Sequence, residues 1–299
     1  MAATKVDYTP LPVTLPPSFL LSDPEPSQSQ SQQEQKPTIS AGAQPIPWAQ
    51  TPIPEYEGLV ALTIPSVLSP AECATLISLA ESSVIPKNDP NPGVPPESPW
   101  RPALVSSGTG YEAPAPGYRE SGRIVWDNQE VADRIWARCR LLAPGLADKL
   151  LEPPRSRYDD RSKGRWVFSR FNDRMRFLRY EAGQFFKPHT DGAYFYTKDG
   201  KEFETRYTVQ VYLSDSAAAV SEAETDGTAG GTAGEDACVG GATRFLSRDR
   251  KRAYDVDPRA GTALLFQHDG LLHEGARVEA GVKYAVRMDI LYEWVPAED

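Results

Sequence analysis

The sequence predicts a mainly β protein with supporting helices, a sandwich or barrel whose strand-rich half follows a helical one. Three observations predict it. From Trp166 onward the segments WVFSRF, MRFLRY, FFKPH, TRYTVQVYL, TRFL, TALLF and YAVRMDILY are β-branched and aromatic, and turn residues separate them. No helical period intervenes between these short strands, which is the pattern of a sandwich or barrel. Ahead of them, two stretches carry the 3.6-residue apolar period of amphipathic helices.

Taken in order, residues 1–55 are rich in Pro, Ser and Gln, as in SDPEPSQSQSQQEQKP. Such a composition buries too little apolar surface to offset the entropy of ordering, so the segment reads as a disordered tail. Residues 56–165 read as helical support and long loops. The first helix spans 70–83, with Ser69 as N-cap, Pro70 at the first turn and Glu72 at the third position, a capping-box spacing. Its apolar stripe is Leu76, Ile77, Leu79 and Ala80. Residues 85–118 form a Pro/Gly-rich stretch that reads as a long loop. The second helix runs over 129–141 behind Asn128 as cap, with Val131, Ile135, Trp136 and Cys139 facing inward. The strand-rich core is placed at 166–296, interrupted by a low-complexity insertion at 214–241 that reads as a surface loop.

Composition narrows the function. Of 299 residues, 40% are hydrophobic and 24% charged, the proportions of a soluble globular chain. A net charge of -9 argues against nucleic acid as a partner, because a phosphate backbone demands a basic surface. A local basic stretch, Arg155 to Arg179, reads as solvated charge beside strands, with an acidic partner as the alternative. Three cysteines at scattered spacing, Cys73, Cys139 and Cys238, point to a reducing compartment and form no zinc spacing. No signal-peptide core and no run of eighteen apolar residues is present, so a cytoplasmic or nuclear protein with no membrane partner is the expectation.

The residues that carry chemistry are few. The chain has only three histidines, and two of them frame a metal-binding pattern: His189-X-Asp191 within FFKPHTDGAYF, then His273 within GLLHEGARV. Alternate residues on a strand share a face, so His189 and Asp191 can chelate one side of an ion. Two imidazoles and one carboxylate leave three octahedral positions open, the arrangement suited to non-haem Fe(II). Ten residues beyond His273 comes Lys283, and Arg287 follows four later on the same strand face. His268 is a competing but weaker candidate for the distal ligand.

The order and context of RFLRYEAGQFFKPHTD, YTVQVYLSD, GGATRF and GTALLFQHDGLLHEGARVEAGVKYAVRMDILY resemble the prolyl 4-hydroxylase-like branch of the Fe(II)/2-oxoglutarate-dependent dioxygenases. The resemblance covers roughly Trp166 to Trp294. It implies a double-stranded β-helix of the jelly-roll or cupin kind, with helices against one sheet. It also implies Fe(II) held by His189, Asp191 and His273, with 2-oxoglutarate and O₂ as co-substrates and ascorbate as a candidate auxiliary reductant. By the same resemblance Lys283 takes the far carboxylate of 2-oxoglutarate and Tyr180 donates a hydrogen bond to it. Arg287 is assigned to the other face of the co-substrate or to an anionic group of the substrate; as a bare residue it equally reads as an ion-pair partner of Asp289 or Asp191. Thr208, Gln210 and Tyr212 share the inward face of their strand.

The expected reaction is hydroxylation of an aliphatic carbon, in a protein side chain such as prolyl or in a small molecule. The strand RMDILY departs from the tryptophan-bearing strand of collagen-type prolyl hydroxylases, so prolyl specificity does not follow. Two other classes stay open on residues alone: a zinc-dependent hydrolase using the same triad, and a non-catalytic binding module.

Overall fold

Local chemistry sets the helix starts. Ser69 Oγ accepts from the Glu72 backbone N–H while the Glu72 carboxylate accepts from the Ser69 N–H at 2.8 Å, closing the capping box that opens helix Pro70–Ser82. Asn128 Oδ1 accepts from the Val131 N–H at 3.0 Å and opens helix Gln129–Leu142. Glu72 also receives two hydrogen bonds from Arg138, at 2.8 and 2.7 Å, which ties the first helix to the second.

The computed structural model describes residues 3–6, 8–21, 42–84, 98–108, 110–154, 159, 163–225 and 237–297. Two antiparallel sheets dominate. The larger runs in the order Gln44–Pro45, Ala61–Ile64, Ala263–Gln267, Lys201–Tyr212, Lys283–Pro296, Arg174–Tyr180, Gly122–Asp127 and Arg101–Pro102. Phe195–Lys198 and Gly164–Phe171 pair onto it from the side. The smaller has five strands in the order Ala253–Val256, Thr243–Leu246, His273–Gly275, Phe185–His189 and Arg119–Glu120.

Strand alternation sorts the side chains of the larger sheet into two layers. Phe177, Val209, Val211, Val286, Met288 and Ile290 face the helices and pack with Leu76, Ala80, Val131, Ile135 and Cys139. Their sequence neighbours Thr208, Gln210, Tyr212, Lys283, Arg287 and Asp289 lie on the opposite face. There the two sheets meet, with Phe266 of the larger 5.5 Å from Phe245 of the smaller in an edge-on contact. At one point the chain approaches itself too closely for a side chain. Gly261 has φ +79°, and a Cβ there would lie 1.8 Å from the Leu68 carbonyl oxygen.

The mainly β architecture with two supporting helices agrees with the sequence, but four expectations change. Within the 1–55 segment, Phe19, Leu20, Ile46, Trp48 and Ile53 are buried, and Thr4–Lys5 pairs with Tyr111–Ala113. Spaced apolar residues, few as they are, anchor those stretches; residues 22–41 lie outside the described residues. The 85–118 loop contains strands from Arg101 onward, each two to four residues long, while 85–97 lies outside the description. In the 214–241 insertion, Ala217–Thr225 is helical and Val239–Gly240 pairs with Val278–Ala280, while 226–236 is likewise outside. The sheet does not begin at 166 either, since Ala61–Ile64 and Gly122–Asp127 are full members of it. Among the described residues no helix is long and apolar enough to cross a membrane.

Candidate metal centre and active site

His189 ends one strand of the smaller sheet, His273 begins its neighbour, and the two are direct partners in the antiparallel register. That pairing alone brings the imidazoles together, with ring centroids 4.4 Å apart. Asp191, two residues past His189, places one carboxylate oxygen 3.7 Å from His189 Nε2 and the other 3.8 Å from His273 Nε2. One ligand atom from each of the three lies within 4.8 Å of the others.

The surroundings fit a divalent metal. His189 Nδ1 lies 2.8 Å from the Lys187 carbonyl and His273 Nδ1 3.0 Å from the Leu271 carbonyl. Those carbonyls accept Nδ1–H, which fixes the tautomer and leaves each Nε2 lone pair facing the shared space. Burial, with His273 adjacent, pushes the His189 imidazole down to about 3. Burial also lowers His273. Both rings are therefore neutral ligands at physiological pH. Asp191 is held well below the usual carboxylate range; burial opposes this, but the Arg287 guanidinium at 2.9 Å outweighs it. Thr208 donates to the second carboxylate oxygen at 2.6 Å. Two neutral imidazoles and an oriented, ionised carboxylate are the donor set that a borderline divalent ion takes.

Two cavities adjoin the triad. A narrow one of about 40 Å³ runs past Thr208, Gln210, Thr243 and Tyr180 to Lys283. A wider one of about 560 Å³ opens on the other side, lined among others by His189, Asp191 and Arg287. Lys283 is 3% exposed. Its Nζ donates to the Gly241 carbonyl at 2.6 Å and lies 5.4 and 5.6 Å from the ring centroids of Tyr180 and Tyr212. Burial pulls this ammonium down to about 8. Tyr180 is the register partner of Lys283 on the adjacent strand. Gln210 and Tyr212 both donate to Thr243 Oγ1, at 2.9 and 2.8 Å.

The structure thus brings His189, Asp191 and His273 together and sets Lys283 and Tyr180 at the far end of the narrow cavity. Arg287 is engaged differently from its co-substrate reading. Its guanidinium bonds Asp191 and, at 3.2 Å, Asp289, the ion-pair alternative left open by the sequence. Asp289 in turn holds Arg176 at 2.7 Å and sits 3.6 Å from His268 Nε2. His268 stands outside the triad. Sequence reasoning missed Arg119, which borders both cavities from a two-residue strand. A strand that short has no period to detect.

The model of the 2OG-Fe(II) oxygenase superfamily matches residues 175–288. No curated protein matches the chain. Among solved structures it is similar to a viral collagen prolyl hydroxylase from Paramecium Bursaria Chlorella virus-1, at 19% identity over 79% of this chain and 97% of that one, TM-score 0.41. It is also similar to a Pseudomonas putida prolyl-4-hydroxylase, at 13% identity over 81% and 97%, TM-score 0.42. A Trichoplax adhaerens prolyl hydroxylase shares 14% identity over 81% and 88%, TM-score 0.43. Likenesses this distant bear on no substrate. The family match spans all three members of the triad together with Tyr180 and Lys283, so it is residues 175–288, the stretch that builds the site, that match the 2OG-Fe(II) oxygenase superfamily.

Proposed function

We propose that this enzyme hydroxylates an aliphatic carbon, with Fe(II) held by His189, Asp191 and His273 and with 2-oxoglutarate lying in the narrow cavity. The carrying observation is the triad itself: two Nε2 atoms of fixed tautomer and one ionised carboxylate, buried and convergent. When bound, Fe(II) with 2-oxoglutarate supplies the oxidation, one atom of O₂ entering the substrate C–H bond and the other entering succinate as CO₂ leaves.

The chain's own residues bind and orient. Lys283 is a buried ammonium with no carboxylate at salt-bridge distance among the described residues, a cation prepared for the far carboxylate of 2-oxoglutarate. Tyr180, beside it in register, donates to the same group. Arg287 and Thr208 fix the Asp191 carboxylate from either side. The opposed sheets, sharing a core at Phe245 and Phe266, are read as the two layers of a double-stranded β-helix. A zinc hydrolase is disfavoured because it needs a free general base beside the metal. The adjacent carboxylate, Asp289, is bonded to both Arg176 and Arg287.

The test is spectroscopic. Anaerobic protein with Fe(II) and 2-oxoglutarate develops the weak visible charge-transfer band of the chelate, and admitting air gives slow succinate formation without substrate. His189→Ala loses both. Absence of both signals in wild type, or their survival in the variant, removes the oxygenase reading.

A further inference from the structure

Seven basic and five acidic residues line the wide cavity, in a chain whose net charge is -9. Four of the acids are already engaged by arginines of the same wall: Glu112 by Arg123, Asp127 by Arg174, Asp289 by Arg176 and Asp191 by Arg287. Arg119, Arg170 and the exposed Lys198 have no carboxylate partner among the described residues. Arg170 spends its donors on Gln129, Ser169 and Tyr196 in the cavity's outer wall.

Arg119 is placed differently. It borders both cavities, at the throat where they meet beside His189. Its guanidinium carbon lies 4.5 Å from the Phe186 ring centroid, and Phe186 stacks on the His189 imidazole at 3.7 Å. That stack fixes the guanidinium relative to a metal ligand. One contact, at 3.4 Å, joins Nη1 to the Leu104 carbonyl, and the buried Nε has no hydrogen-bond partner. Burial, with Arg123, Arg287 and Arg176 crowding it, pulls Arg119 down to about 10. A cation left short of donors' partners among other cations is completed by an anion.

We infer that the wide cavity takes a small-molecule substrate bearing a carboxylate, and that Arg119 holds that carboxylate beside the metal. The inference rests on the oxygenase reading and adds the substrate class to it. A guanidinium fork matches a carboxylate in two parallel hydrogen bonds. One unpaired guanidinium at the throat balances one negative charge, which suits a carboxylate better than a phosphate dianion. The volume of about 560 Å³ is that of a small-molecule site. Lys283 is separate, at the end of the narrow cavity, which leaves Arg119 available to the substrate.

The experiment uses the full chain loaded with Mn(II) and N-oxalylglycine, an inert 2-oxoglutarate analogue. Acetate, butyrate and 4-phenylbutyrate are titrated by ligand-observed NMR, each against its amide and its phosphonate counterpart. At least one acid binds saturably and about tenfold or more tighter than its amide, the worth of one charge-assisted hydrogen bond. Arg119→Gln erases the preference, Arg119→Lys keeps part of it, and N-oxalylglycine binding stays within about twofold in both, the sign that the site is intact. Equal binding of acids and amides, tighter binding of phosphonates, or no saturable acid at all overturns the proposal. So does weakened N-oxalylglycine binding in Arg119→Gln with Lys283 unchanged, since that assigns Arg119 to the co-substrate. Failure of wild type to bind Mn(II) and N-oxalylglycine sinks the oxygenase reading instead, and is read separately.

Discussion

At the scale of single residues, Lys283, the group proposed to bind the co-substrate, burdens the fold that carries it. Its ammonium is buried, satisfied by one carbonyl and two aromatic faces, and its pKa falls from 10.5 to about 8. The sign follows from proton counting. Below about 8 the lysine is charged in both the folded and unfolded chain, and the full cost of burying that charge is present. As pH rises from about 8 toward 10.5, the unfolded chain binds the extra proton, so the apo protein gains stability over that window. On the role proposed for Lys283, affinity for 2-oxoglutarate should move the other way, because the neutral amine attracts no carboxylate. Lys283→Met separates the two effects. It removes the buried charge at nearly constant volume, so the apo protein should gain about 1–2 kcal/mol in urea unfolding. Its apparent KM for 2-oxoglutarate should rise by about tenfold or more, the loss of one charge-assisted contact. A stabilised variant with unchanged KM returns Lys283 to a structural role and moves the co-substrate elsewhere.

At the scale of elements, the junction of the two helices is set by one carboxylate. Glu72 closes the capping box on Ser69 and accepts both terminal nitrogens of Arg138, whose side chain is 4% exposed. Glu72→Ala should cost about 3 kcal/mol in chemical denaturation, since the cap is lost together with the carboxylate that a buried guanidinium needs. Burial raises the Glu72 pKa, yet Arg138 and the Ser69 amide outweigh it and hold the carboxyl below 4.5. The stabilisation is thus present above that value and fades as pH falls through the folded pKa. Glu72→Gln, which keeps the cap and one hydrogen bond, should lose less and flatten the acid side of the stability curve. The helices were legible because capping chemistry and apolar spacing are local. The register that sets His189 opposite His273 was not, because pairing between strands distant in sequence leaves no local mark. Arg119 was invisible for a related reason: it gains its place from two residues of pairing just after a proline-rich stretch. Arg287 was legible as a residue on the metal-facing side of its strand, but only the folded chain shows Asp191 and Asp289 occupying its terminal nitrogens.

At the scale of the whole molecule, the N-terminal stretch links surface to site. Composition marked it as a disordered tail, but packing against the rest of the fold orders parts of it. Phe19 and Leu20 bury into the helical core, the Phe19 carbonyl accepts from Arg134, and the Leu11 amide donates to the Ser83 carbonyl at 2.7 Å. The chain then reaches the mouth of the wide cavity, where Val6 and Tyr8 form part of the wall. The Tyr8 hydroxyl bonds Glu112 and Arg123, and its ring lies 5.4 and 5.8 Å from the guanidinium carbons of Arg123 and Arg174. Burial pushes that phenol up to about 12, so it stays a neutral donor at any working pH. Removing residues 1–8 spares the Phe19–Leu20 anchor and should leave the fold intact. It opens the cavity mouth and strips two cation–π contacts, worth roughly 1 kcal/mol together, so ligands of the wide cavity should bind about fivefold weaker. N-oxalylglycine, held beyond the triad near Lys283, should bind as before. Isothermal titration of both ligands against the truncated and full chains decides the matter: if the analogue weakens as well, the N-terminal stretch supports the metal side of the site, and the two cavities are not independent.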